Sequence, residues 1–83
     1  MLKTHELKTW PDFFRKVVSG EKPFEIRVND REYEVGDTLV LREFDPAKAT
    51  YSGSQVVVLV TYLLIGGQFG IQPGWVIMGI KEK

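Results

Sequence analysis

From Ala49 to Ile80 the chain carries no Lys, Arg, Asp or Glu. A stretch of that length without a charge has to supply much of the core. Within it, Gln55 to Ile65 is rich in valine and apolar at consecutive positions, not alternate ones. A strand with two apolar faces is covered on both, so this segment is predicted to cross the middle of a sheet. It is too short to span a bilayer as a helix, and Thr61 and Tyr62 interrupt it. The reading makes Trp75 and Tyr62 buried strand residues. Gly66-Gly67-Gln68-Phe69-Gly70 reads as a flexible connection and Gly74 to Lys81 as the last strand. The glycine cluster is no phosphate loop, because no Lys-Ser/Thr and helix follow it.

Upstream, the pattern changes. Thr4 to Lys8 reads as a short first strand. Trp10, Phe13, Phe14, Val17 and Val18 then fall at i, i+3, i+4, i+7 and i+8, one face of a helix of about nine residues. That stripe assigns Phe13, Phe14, Val17 and Val18 to the core. Thr9 with Asp12 resembles a capping box, Pro11 suits the first turn, and Gly20 is placed as a left-handed C-terminal cap. Phe24, Ile26 and Val28 alternate with Pro23, Glu25 and Arg27, a strand with one apolar and one polar face. Asn29-Asp30 and Gly36-Asp37 mark turns, Thr38 to Phe44 is a strand, and Asp45 to Ser54 is a polar loop. Five strands and one helix after the first predict a mostly β (α+β) single domain over residues 1–83. The architecture is a small closed or half-closed barrel with the helix packed against it, or else an open α+β sandwich.

Composition narrows the chemistry. There is no cysteine, and His5 is the only histidine, which excludes disulfides and any zinc site built from Cys and His. A carboxylate-only site would suit Mg²⁺ or Ca²⁺, and no metal or cofactor is predicted. Eleven basic and 11 acidic residues cancel, against a protein that coats nucleic acid by bulk charge. A local basic patch stays open. Met1 to His5 has no apolar core of a signal peptide, so a soluble, cytoplasmic protein without a membrane segment is expected.

Nearly all ionic chemistry therefore lies in the first 45 residues, and residues 20–27 concentrate it. Gly20 turns the chain out of the helix and Lys22 stands at the mouth between helix and strand. Glu25 and Arg27, two apart on a strand, share a face. Lysine supplies a point charge and arginine a fork of donors, a pair suited to a polar, planar or phosphorylated ligand. The plainer reading is a solvated strand face with an ordinary ion pair. Lys8 could extend a basic patch from the strand–helix junction, and His5 could face the same cleft. Trp10 could stack on a base or open the core stripe. Arg31 and Asn29 sit in the following turn.

Gly20-x-Lys22-x-x-Glu25-x-Arg27 resembles the G-x-K-x-x-E-x-R signature of the ASCH (activating signal cointegrator homology) domain, a member of the PUA-like superfamily of small β-barrels. Tyr33 to Leu39 resembles the turn and strand that follow this signature. His5 to Pro11 and Gly70 to Met78 resemble a short bacterial and phage subfamily of unassigned function. The resemblance implies a cleft between helix and barrel that binds RNA or a nucleotide-like ligand. Lys22 and Arg27 would contact phosphate or base edges, and Glu25 would accept from a base amine or hold Arg27. One relative of this fold is an amidohydrolase acting on N4-acetylcytidine, with Lys22 matched in position. It carries threonine where this chain has Glu25, and a later carboxylate that has no counterpart between Pro46 and Lys81. An enzyme would use Lys22 and Glu25 on water. The implied function is a binding module; the alternatives are a small hydrolase of a modified nucleoside and a protein-interaction domain.

Overall fold

The charge-free stretch supplies the central strand of a five-stranded sheet and most of one of its two neighbours. The computed structural model describes residues 1–83. In chain order it contains β1 (Thr4–Thr9), α1 (Pro11–Ser19), β2 (Phe24–Val28), β3 (Thr38–Asp45), β4 (Thr50–Ile65) and β5 (Trp75–Glu82). The strands lie in the order β1-β3-β4-β5-β2, with β1 parallel to β3 and every other pair antiparallel. The sheet curls into a half-barrel, and its two edges, β1 and β2, face its open side. β4 is the central strand, as its doubly apolar pattern requires. Its Val58 and Val60, with Leu39 and Leu41 on β3 and Val76 and Met78 on β5, are at most 1% exposed. Burying each such side chain contributes about 1.5–3 kcal/mol.

Helix α1 packs on the sheet through Phe14 and Val17. Gly20 ends it at φ 84°, and its N–H donates to Val17 O at 3.1 Å. The left-handed conformation is why glycine stands there. The start differs from the expected capping box. Trp10 occupies the cap with extended backbone and no side-chain bond, and Thr9 is a buried β1 residue. Phe13 and Val18 are half exposed, because a helix this short docks by one narrow stripe.

Other departures trace to strand register. β2 pairs Glu25 with Met78 and Arg27 with Val76, both interior positions of β5. The polar row of β2 therefore turns toward the barrel interior, while Phe24, Ile26 and Val28 are 41–48% exposed on the outside. In β4 the register shifts between Val60 and Tyr62, so Thr61 is an extra, bulged residue. The inward row passes from Val60 to Leu63, and Tyr62 turns out to solvent at 66% exposure instead of being buried. Trp75 is half-buried. The predicted loop from Asp45 to Ser54 is mostly hairpin: pairing resumes at Asp45 with Thr50 and Phe44 with Tyr51. Gly66 is required by close approach, since a Cβ there would lie 2.1 Å from Gln72 O.

The fully buried Asp37 ties β1 to the loop before β3. Its carboxylate accepts from Lys3 N–H at 2.9 Å, Glu34 N–H at 3.0 Å and His5 Nε2 at 2.9 Å. Burial alone raises the Asp37 pKa, but these three donors outweigh it and hold the group below the ordinary aspartate value. A depressed folded-state pKa gives stability that is present above the unfolded value, about 3.9. It is lost as pH falls through the lower folded value. In urea denaturation at pH 7, Asp37→Ala is expected to cost about 3 kcal/mol by orphaning buried donors. It also removes this carboxylate's share of the stability lost below about pH 4. Equal midpoints for variant and wild type at pH 7 would contradict the role.

Candidate functional site

A short strand with no neighbour on one side normally leaves its carbonyls and N–H groups to water. Here arginine side chains bridge the gap between the two sheet edges. Arg27 Nη2 on β2 donates to Lys8 O on β1 at 2.8 Å, with Thr9 Oγ1 at 3.3 Å. Arg31 Nη1 donates to Glu6 O at 3.1 Å. The carbonyls left unpaired on the β1 edge are thus taken up by side chains instead of a sixth strand.

Glu25 organises this seam. It is 3% exposed, and a carboxylate so buried needs compensation. Lys22 Nζ lies 2.5 Å from its Oε2, and Arg27 Nη2 lies 3.2 Å from its Oε1. Lys22 is fixed from the helix side, where its N–H donates to Lys16 O at 3.0 Å, and its ammonium also donates to Phe24 O at 2.9 Å. The same ammonium lies 5.5 Å from the Phe13 ring centre and 5.0 Å from that of Phe24.

These groups line a cleft of about 680 Å³, within the roughly 300–1,000 Å³ range of small-ligand sites. Trp10 and Phe13 form one wall as a stacked pair with ring centres 6.1 Å apart. The outward row of β2 and Trp75 provide apolar surface, and Leu7, Lys8, Thr9, Asp30, Arg31 and Tyr33 complete the cleft. Burial raises the Tyr33 pKa against the opposing charges of Arg31 and Arg27, so its phenol is neutral at physiological pH.

Of the residues singled out in the sequence, Lys22, Glu25, Arg27, Lys8, Trp10 and Arg31 meet in this cleft. His5 does not. Its ring is buried, bonded to Asp37 and edge-on to Tyr33 at 4.8 Å. Gly20 shapes the exit from α1 without lining the cleft. Sequence reasoning missed Thr9, Phe24, Asp30, Tyr33 and Trp75 as cleft residues and assigned Phe13, part of one wall of the cleft, to the core. No local signal marked Phe24, because the face of β2 that turns inward is set by its register with β5. Groups of three or more His, Cys, Asp or Glu able to hold a metal ion do not occur. No helix is long and apolar enough to cross a membrane.

Removing Glu25 leaves two partly buried cations without their shared anion. Glu25→Ala is expected to destabilise by about 3 kcal/mol. Lys22→Met is expected to cost less, because Glu25 keeps Arg27. Urea midpoints for the two variants check the order; a Glu25→Ala protein as stable as Lys22→Met would contradict it.

The chain resembles known sequences over this whole region. A family model described as a domain of unknown function (DUF3850) matches residues 4–80. An uncharacterized 12.9 kDa protein in the GpA 3′ region of Escherichia phage P2 is 39% identical over 61 residues, which is 74% of this chain and 54% of the phage protein. The chain therefore spans about half the length of that relative. The family match takes in β1, α1, β2, the seam and the Lys22–Glu25–Arg27 group, and extends to Ile80 on the last strand. On that match, the chain belongs to the DUF3850 family.

Proposed function

We propose that this chain is a single PUA-like domain of the ASCH type that binds single-stranded RNA, taking an unpaired base into the cleft between α1 and the seam. The observation that carries the reading is the pairing of an aromatic wall with a buried charged floor. Trp10 and Phe13 are 55% and 49% exposed, a large apolar surface to leave in water unless something covers it. A base presents a π-face to such a wall and hydrogen-bonding edges to such a floor. Glu25 accepts from two cations, and a carboxylate has about four lone-pair sites, so acceptor capacity remains for an exocyclic amine. Lys22 and Arg27 supply the donors. A cytoplasmic setting follows from an RNA ligand and is part of the proposal.

The two tryptophans of the chain, Trp10 and Trp75, both line the cleft, so intrinsic fluorescence reports its occupancy. Titration with a pool of short random RNA is expected to quench it. Trp10→Ala and Phe13→Ala are each expected to weaken binding about 5- to 100-fold, the range of one lost stacking contact. Their unfolding temperatures are expected to stay near wild type, since both side chains are half exposed. The zero net charge predicts a shallow salt dependence, with a slope of about −0.7 per phosphate contacted. Binding that is absent in wild type, or indifferent to both substitutions, would overturn the proposal.

A further inference from the structure

A second concavity of about 430 Å³ adjoins the cleft at the seam. It shares Leu7, Lys8, Arg27 and Arg31 with the cleft and adds Glu6, Arg42 and Tyr51. Its lining holds four cations, Lys8, Arg27, Arg31 and Arg42, against one carboxylate, Glu6. In a chain of zero net charge this is a marked local excess.

The four cations are not equivalent. Arg27 and Arg31 are engaged with β1 carbonyls. Lys8 and Arg42 are held differently, by aromatic faces. Lys8 Nζ sits 4.6 Å from the Phe44 ring centre, and the Arg42 guanidinium 4.0 Å from that of Tyr51. Phe44 and Tyr51 pair across β3 and β4, edge to face at 5.0 Å. Arg42 also forms an exposed ion pair with Glu6, Nη1 to Oε1 at 3.6 Å, a separation longer than a hydrogen bond. A ring face orients a cation without consuming its N–H donors. Lys8 and Arg42 are therefore positioned with donors free to face an anion, next to the place where a base would lie.

We infer that this second concavity is a phosphate subsite, and that the ligand is an oligonucleotide rather than a free nucleoside or mononucleotide. The inference rests on the RNA reading of the adjoining cleft. A chain passing over the seam places one nucleotide's base against Trp10 and Phe13. The phosphodiester of a neighbouring nucleotide then reaches Lys8 and Arg42. Arg42 forks onto two phosphate oxygens while Tyr51 supports its plane. The affinity gained beyond one nucleotide resides in this subsite.

The test measures binding of the full chain to a fluorescein-labelled pool of random RNA hexamers across salt concentrations, with uridine and UMP as competitors. Arg42→Gln is expected to weaken hexamer binding roughly tenfold, the scale of a hydrogen bond to a charged group. It is also expected to flatten the salt slope by about 0.7, one phosphate contact. Lys81→Gln, which removes an exposed charge outside both concavities, is expected to change neither. Uridine and UMP are expected to compete far more weakly than an unlabelled hexamer. Arg42 lies at the surface, and a circular-dichroism melt matching wild type verifies that the variant folds. If hexamers bind and Trp10→Ala weakens them while Arg42→Gln leaves affinity and slope unchanged, the subsite is wrong and the base cleft stands. If UMP competes as well as the hexamer, the subsite is likewise wrong. If hexamers do not bind wild type at all, both readings fall. Equal affinity for polyglutamate, lost in the same Arg42→Gln variant, would overturn the nucleic-acid assignment in favour of an acidic protein partner.

Discussion

Glu25 joins parts of the molecule that no backbone ladder connects. The sheet has two edges, and β1 and β2 never exchange a backbone hydrogen bond in the pairing that builds it. The carboxylate holds Arg27 on one side and Lys22 on the other. Arg27 in turn reaches the β1 carbonyl of Lys8, and Lys22 is tied to the end of α1. Strand, helix end and opposite edge are thus referred to one buried anion. Buried ion groups of this kind add little net stability over a well-packed apolar replacement, but they fix geometry. The curl of the half-barrel, the width of the seam and the floor of the cleft all depend on that geometry.

The arrangement also explains why polar residues face inward on β2 and apolar ones outward. A closed barrel would place an apolar row inside, and Phe24, Ile26 and Val28 would fill it. An open one must satisfy the bare edge of β1, which takes donors, not methyl groups. Turning Glu25 and Arg27 inward meets that need and leaves an exposed apolar strip on the outer face. The strip lies beside Trp10 and Phe13, so the solution to a structural problem at the edge creates a surface with the properties of a binding site.

The sequence made the central strand, the short helix with its glycine cap and the clustering of Lys22, Glu25 and Arg27 legible, because each is a local pattern. What it hid depends on partners far along the chain. Which face of β2 is interior is decided by its register with β5, some fifty residues later. The outward turn of Tyr62 follows from one extra residue at Thr61, invisible to an apolar periodicity. His5 looked free to enter a cleft because Asp37, the group that claims it, lies 32 residues away. Thr9 had the spacing of a cap, yet its hydroxyl serves Arg27, since the edge carbonyls nearby already draw that guanidinium in. Trp10 and Phe13 matched a helical core stripe, but a helix this short buries only Phe14 and Val17.

The central claim is that the cleft over the Glu25 seam receives a nucleic-acid base. Heteronuclear NMR titration of the labelled chain with a short single-stranded RNA tests it most directly, because every residue reports at once. The account predicts shifts concentrated at the Trp10 indole N–H, the amides of Lys22 to Arg27 and the Arg27 guanidinium, with β4 near Tyr62 silent. Shifts that instead cluster on the outer face of β4 and β5, or no shifts at saturating RNA, would contradict it.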